Sequence, residues 1–136
     1  MLISANGTTG DMATAGEYCS DFLLMVLCAH SSRFLDKTLG ASLVSRAKLL
    51  LGSEIQKPSS VGTAQALLQL SARELAYGFT SQAWLYSGMA FRMVSDLGLH
   101  PGNATGPMEE IEIRRRLFWS CYFWDKYVAS LLPYHC

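Results

Sequence analysis

The sequence predicts an all-α fold of about five helices packed as antiparallel pairs, part of a larger helical domain. Apolar residues recur at helical spacing in five stretches punctuated by glycine and proline, and no stretch alternates apolar with polar as a half-buried strand would. Half of the 136 residues are hydrophobic and 16% are charged, which suits one core in a chain the size of a single domain. No internal repeat divides it.

Residues 1–16 are small and polar, with Gly7, Thr8, Thr9 and Gly10, and are expected to form a disordered lead-in. Tyr18, Phe22, Leu23, Val26, Leu27 and His30 then place a first helix from Glu17 to about Phe34. A second is expected from about Ala41 to Ser53 on Leu43, Val44, Ala47, Leu50 and Leu51, until Lys57-Pro58-Ser59-Ser60 breaks the pattern. The third starts near Ser60, presents Ala64, Leu67, Leu68, Ala72 and Leu75, and stops at Gly78, as glycine past a helix end commonly makes it do. Thr80 or Ser81 is placed to cap the fourth, which continues through Trp84 to Leu97 before Gly98 and Pro101 end it. A link this short makes the third and fourth helices antiparallel neighbours. Trp84, Leu85, Met89 and Met93 occupy one face of the fourth helix, and Ala83, Tyr86, Ala90, Val94 and Leu97 the opposed one. That helix is therefore expected to be sandwiched, with Gly88 allowing a partner close despite its propensity cost of ~1 kcal/mol.

After a loop from Leu99 to Pro107, the fifth helix begins near Met108. Acids lead and bases follow in Glu109-Glu110-Ile111-Glu112-Ile113-Arg114-Arg115-Arg116, the order that the helix macrodipole favours. Glu110 and Glu112 stand four residues before Arg114 and Arg116, so the arginines read as a paired helix start rather than a phosphate patch or import signal. Six of the next ten residues from Phe118 are aromatic: Phe118, Trp119, Tyr122, Phe123, Trp124 and Tyr127. Between Leu117 and Leu132 only Ser120, Asp125, Lys126 and Ser130 interrupt, so this half of the helix is expected to be wrapped by other helices. Aromatic rows at helical spacing read first as core, which places Trp84 and Trp119 inside rather than in an effector pocket. Asp125 shares a face with Phe118, Tyr122 and Ala129, where burial without a partner is expensive. An arginine, Arg92 first among them, is its expected partner.

Composition excludes several functions. Eleven bases balance eleven acids, so no strong field is available to gather phosphates, and this segment by itself is not expected to hold nucleic acid. The longest apolar run, Phe22 to Ala29, is eight residues, against the ~20 that a bilayer requires. No secretory leader is visible after Met1, and an intracellular setting is the expectation. Cys19, Cys28, Cys121 and Cys136 lack the close pairing of zinc ligands and read as small hydrophobes. His100 follows a helix end, where it could satisfy a terminal carbonyl. No nucleophile or carboxylate constellation accompanies it, so no catalytic residue and no metal ligand is assigned.

Several words stand in a familiar order: Ala64-Gln65-Ala66-Leu67-Leu68, Ser81-Gln82-Ala83-Trp84-Leu85, Gly88-Met89-Ala90-Phe91-Arg92-Met93, Asp96-Leu97-Gly98-Leu99-His100, Glu112-Ile113-Arg114-Arg115-Arg116-Leu117-Phe118-Trp119 and Asp125-Lys126-Tyr127. Together they closely resemble the fungal-specific transcription factor domain, the middle regulatory region of fungal zinc binuclear cluster activators. The resemblance is strongest over residues 64–132, and residues 17–136 read as a partial copy. It implies a regulatory and interaction module of a factor controlling RNA polymerase II transcription in the nucleus, without catalysis. Its motif positions are Trp84, Gly88, Arg92, Asp96, Gly98, His100, Glu112, Arg115, Arg116, Phe118, Trp119 and Asp125. The implied partners are the remainder of a transcription factor or other regulatory proteins, with a small-molecule effector, and neither membrane nor direct nucleic acid contact.

Two departures qualify the resemblance. The six-cysteine zinc cluster that reads DNA in this family has no counterpart here, so no cofactor is expected in this chain. The family's last helix also typically runs into Leu-Leu-Gly-Arg-Pro and further helices, whereas this chain reads Leu131-Leu132-Pro133-Tyr134-His135-Cys136. A fragment is expected, with an apolar patch left around Trp124, Val128, Leu131 and Leu132. The competing class is an all-helical small-molecule binder or enzyme, for example a prenyl-chain enzyme, whose aspartate-rich magnesium motif has no Asp-Asp pair to represent it here.

Overall fold

The computed structural model describes residues 20–102 and 105–133. The lead-in expected over residues 1–16 lies outside them, as do Cys19 and Cys136. The chain forms α1 (Asp21–Ser32), α2 (Lys37–Ile55), α3 (Val61–Ala76), α4 (Thr80–Asp96) and α5 (Met108–Ser130), with no strand among the described residues. The fold is all-α.

Local chemistry sets the helix ends. Ser20 Oγ accepts from the Leu23 N–H at 3.1 Å and Ser60 Oγ from the Thr63 N–H at 3.2 Å, starting α1 and α3. Asp36 does the same for α2, accepting from the Thr38 N–H at 2.9 Å. That cap starts α2 before Ala41, ahead of the apolar pattern that marks only the helix body. Gly78 (φ 85°) and Gly98 (φ 67°) end α3 and α4 in the left-handed conformation. The Phe79 N–H then reaches the Glu74 carbonyl and the Leu99 N–H the Val94 carbonyl, closing both ends as Schellman motifs. Thr80 is the first residue of α4 rather than its cap, and Phe79 before it offers no side-chain acceptor. The α3 closure leads directly into α4, leaving no residue free to cap it.

Helix α1 packs between α2 and α3, α3 packs on α4, and α4 on α5, which also touches α3. Contact of Ser71 with Ala83 across the turn at Gly78, and of Ser87 and Phe91 with Asp125 and Phe118, runs α3 against α4 and α4 against α5 antiparallel. One continuous core includes Phe22 and Val26 of α1, Leu67 and Leu70 of α3, Val94 of α4, and Phe118 and Cys121 of α5. Burying each large aliphatic or aromatic side chain contributes about 1.5–3 kcal/mol. Because α3 meets three helices, its buried face is wider than expected and takes in Leu70, Ser71 and Glu74. Glu74 is neutralised there by Lys48 of α2, at 2.7 Å.

Helices α1 and α2 approach closely at Gly40. A Cβ built there would lie 2.7 Å from Ser32 Oγ and 3.2 Å from the Ala29 carbonyl oxygen. Gly52, on the exposed side of α2, has nothing within 4 Å.

Candidate interaction surface

Helix α5 buries a single stripe: Leu117, Phe118, Cys121, Asp125 and Val128, spaced by three or four residues toward α4 and α3. The same spacing leaves the other side open. Trp119 is 40% exposed, Phe123 63% and Tyr127 53%, each four residues apart, and Leu131 continues the row. The helix is therefore not wrapped, and the expected core position of Trp119 is corrected. On α4, which lies between α3 and α5, the buried face is Ala83, Ser87, Ala90 and Val94. Of the second expected face Met89 and Met93 pack partly against the core, while Trp84, 43% exposed, and Leu85 do not, so the expected core position of Trp84 is corrected too. No further helix lies beyond either face among the described residues. The apolar patch is accordingly displaced from its expected centre: Val128 is fully buried and Trp124 half-buried, while Trp119, Phe123 and Tyr127 carry the exposed surface.

The exposed rings are organised by their neighbours. Trp119 stacks on Phe123 with centroids 5.6 Å apart and meets Tyr122 edge-on at 5.8 Å. Tyr122 touches Phe91 of α4 at 5.9 Å, and Phe91 touches Phe118 at 6.1 Å, so the surface row is continuous with the core. A groove of about 480 Å³ runs beside it, lined by Arg115, Arg116, Trp119, Ser120 and Phe123.

The arginines that flank this groove are already paired. Arg114 holds Glu110 at 2.6 Å, Arg115 holds Glu112 at 2.9 Å, and Arg116 holds Glu112 at 2.8 Å. The hydrogen bonds from Arg115 and Arg116 keep the Glu112 carboxyl below its ordinary pKa. Three bases thus present little free positive field.

Asp125 is buried, and its partner is not Arg92. Ser87 Oγ on α4 lies 3.1 Å from Asp125 Oδ1 and 2.9 Å from the Trp84 carbonyl, and its single proton serves the stronger, charged acceptor. Lys126 Nζ stands 3.7 Å from Oδ2 on the wetter side. Asp125 also faces Gly88, where a Cβ would sit 3.9 Å from Oδ1, an ordinary contact rather than an enforced close approach. Arg92 lines the same pocket as Asp125, but its exposed side chain makes no ion pair with it. Nearby, Trp124 Nε1 donates to Ser71 Oγ at 2.7 Å, and Ser71 Oγ donates to the Ala83 carbonyl at 2.6 Å, tying three helices together. Sequence reasoning missed both serines. Their signal was Ser87 sharing a stripe with Ala83, Ala90 and Val94, where a small polar residue on a buried face implies a cross-helix partner.

The remaining motif positions are dispersed. Asp96 is the exposed last residue of α4, and Gly98 is its positive-φ terminator. His100 is exposed with its ring 5.2 Å from that of Phe118, and backbone N–H groups at Gly98 and Leu99 meet the α4 carbonyls that it was expected to serve. Cys121 is buried among apolar groups beside Asp125, which pushes its thiol up to about 12. It is a poor ligand or nucleophile. Cys28 is exposed, contrary to its reading as a small core residue. Among the described residues no three His, Cys, Asp or Glu side chains converge as a metal site, and no helix is long and apolar enough to cross a membrane.

Residues 6–134 match the family described as the fungal specific transcription factor domain. The chain is 36% identical over 123 residues to an uncharacterized transcriptional regulatory protein of Schizosaccharomyces pombe, covering 84% of this chain and 20% of that protein. It is 34% identical over 128 residues to the nitrogen assimilation transcription factor nit-4 of Neurospora crassa, covering 85% of this chain and 12% of that protein. It is likewise 34% identical over 131 residues to the nitrogen assimilation transcription factor nirA of Emericella nidulans, covering 85% of this chain and 15% of that protein. The chain thus spans a fifth or less of the length of these relatives. No solved structure matches it. An all-α chain matched over nearly its whole length, with the motif words on α3, α4 and α5, belongs to the fungal specific transcription factor domain family, whose relatives here are regulators of transcription.

Proposed function

We propose that this chain is a regulatory and interaction module of a nuclear transcription factor, without catalysis of its own, whose DNA contact and zinc belong to a separate zinc-cluster domain. The exposed aromatic row Trp119, Phe123 and Tyr127 carries this reading, because a large apolar face on a helix is stable only when something covers it. Its occupant is further helices of the same polypeptide: the relatives named above are at least five times as long as the matched segment, and the row repeats, on the open side of α5, the helical spacing by which the buried stripe packs on α4. Paired arginines and zero net charge support the absence of direct DNA reading.

A segment swap tests it. This chain replaces the corresponding segment of the Neurospora nitrogen assimilation factor, with transcription from a reporter as readout. The native sequence should support induced transcription, while the double substitution Phe123→Ser, Tyr127→Ser should lose it with protein abundance retained. Equal output from both would remove the aromatic face from the function. Sequence-selective gel shift by the chain alone at low salt would contradict the separation of DNA reading from this module.

A further inference from the structure

Where α1, α2 and α3 meet lies another pocket, of about 390 Å³, within the range of small-molecule sites. Its lining carries four basic side chains and no acid: His30 and Arg33 from the end of α1, Lys37 from the start of α2, and Arg73 from α3. Among the described residues none of the three permanent cations has an ion-pair partner, although the chain pairs every arginine of α5. Like charges gathered without a counter-charge repel, and an anion removes that cost. His30 completes this basic wall from the last turn of α1. The walls are aromatic as well as basic. Arg33 lies over the Phe34 ring at 5.3 Å and Arg73 over the Tyr77 ring at 5.0 Å, so each guanidinium stands beside an aromatic ring without losing its charge to a carboxylate.

We propose that this pocket binds a small organic dianion, a phosphate monoester or dicarboxylate with a planar or apolar body. Arg33, Arg73 and Lys37 hold the charge, His30 contributes a hydrogen bond from its ring, and Phe34 and Tyr77 flank the body. The site shares no residue with the α5 face, so it stands or falls separately from the interaction-module reading.

The full chain is titrated calorimetrically with phenyl phosphate, inorganic phosphate and phenol at low ionic strength, and His30 is followed by NMR against pH. Phenyl phosphate should saturate with a Kd below about 1 mM, inorganic phosphate should bind more weakly, and phenol should not bind. Arg33→Gln and Arg73→Gln should each weaken phenyl phosphate by about tenfold, the loss of one charge-assisted hydrogen bond, while Arg46→Gln on the outer face of α2 leaves it unchanged. Bound ligand should raise the His30 pKa, because it adds negative charge beside a ring whose pKa burial, Arg73 and Arg33 now lower, in a pocket that Lys37 also lines. Absence of saturable binding, equal weakening by Arg46→Gln, or an unmoved His30 titration would overturn the assignment. Binding of inorganic phosphate as tight as phenyl phosphate would overturn the role given to the rings.

Discussion

Asp125 illustrates how little charge complementarity in a sequence says about who pairs with whom. Its carboxylate is buried against a serine, and the arginine nearest in sequence logic stays in water. Removing the hydroxyl donor in Ser87→Ala should therefore cost ~1–3 kcal/mol by leaving a buried carboxylate under-satisfied, whereas Arg92→Ala should stay within about 0.5 kcal/mol. Chemical denaturation of both variants checks this, and a larger loss at Arg92 would contradict the geometry. Thiol chemistry separates the two described cysteines: an alkylating reagent near neutral pH should modify exposed Cys28 and leave buried Cys121, whose thiolate burial disfavours, as peptide mass spectrometry would show. His30 makes a third residue-scale prediction. Burial, then the charges of Arg73 and Arg33, lower its pKa below 6.5, so the unfolded chain takes up the proton first on acidification. Its contribution to stability is complete above that value and declines as pH falls through it. His30→Gln should flatten this part of the pH profile in the absence of added anions.

At the scale of elements, two glycines of α2 make opposite predictions from one chemistry. Ala is the better helix former by about 1 kcal/mol, and at exposed Gly52, with open space around its Cβ position, Gly52→Ala should stabilise by up to that amount. At Gly40 the new methyl meets Ser32 Oγ, which is engaged 2.9 Å from the Ala29 carbonyl, and that carbonyl itself. Forcing α1 and α2 apart costs typically 1–3 kcal/mol, so Gly40→Ala should be destabilising despite its propensity gain. Thermal melts of the two variants should move in opposite directions. The helix ends were written locally and could be read: serine before α3, glycine after α3 and α4, acids at the start of α5. Asp36 carries the same kind of local signal, but it stands before any apolar residue of α2, so apolar spacing alone starts that helix about a turn late.

For the whole molecule, the deciding feature is a helix with one stripe packed and one stripe open. With Trp119, Phe123 and Tyr127 in water, the chain should self-associate or bind a hydrophobic dye strongly. Phe123→Ser with Tyr127→Ser should relieve both while keeping the cooperative melt, since neither ring is in the buried stripe. Sedimentation and dye fluorescence measure it, and a monodisperse, dye-free native chain would show that these rings are adequately covered by their own stacking. In this respect Trp84 and Trp119 behave alike: alanine at either should cost less than the ~3–5 kcal/mol of a core tryptophan.

The sequence by itself determined the helical class, the order of the helices among the described residues and the family, because capping, glycine termination and apolar periodicity are local properties that each segment carries alone. It also determined that the arginine run is self-neutralised, since its partners lie within one turn. Only the tertiary structure decided which side of α4 and α5 is inside. Both helices are apolar nearly all round, so their own patterns do not choose a face, and the choice falls to the neighbour that happens to pack there. The same physics explains why the Ser87–Asp125 contact and the basic pocket were invisible beforehand: each joins residues from helices far apart in sequence, and proximity of that kind exists only after the helices have packed.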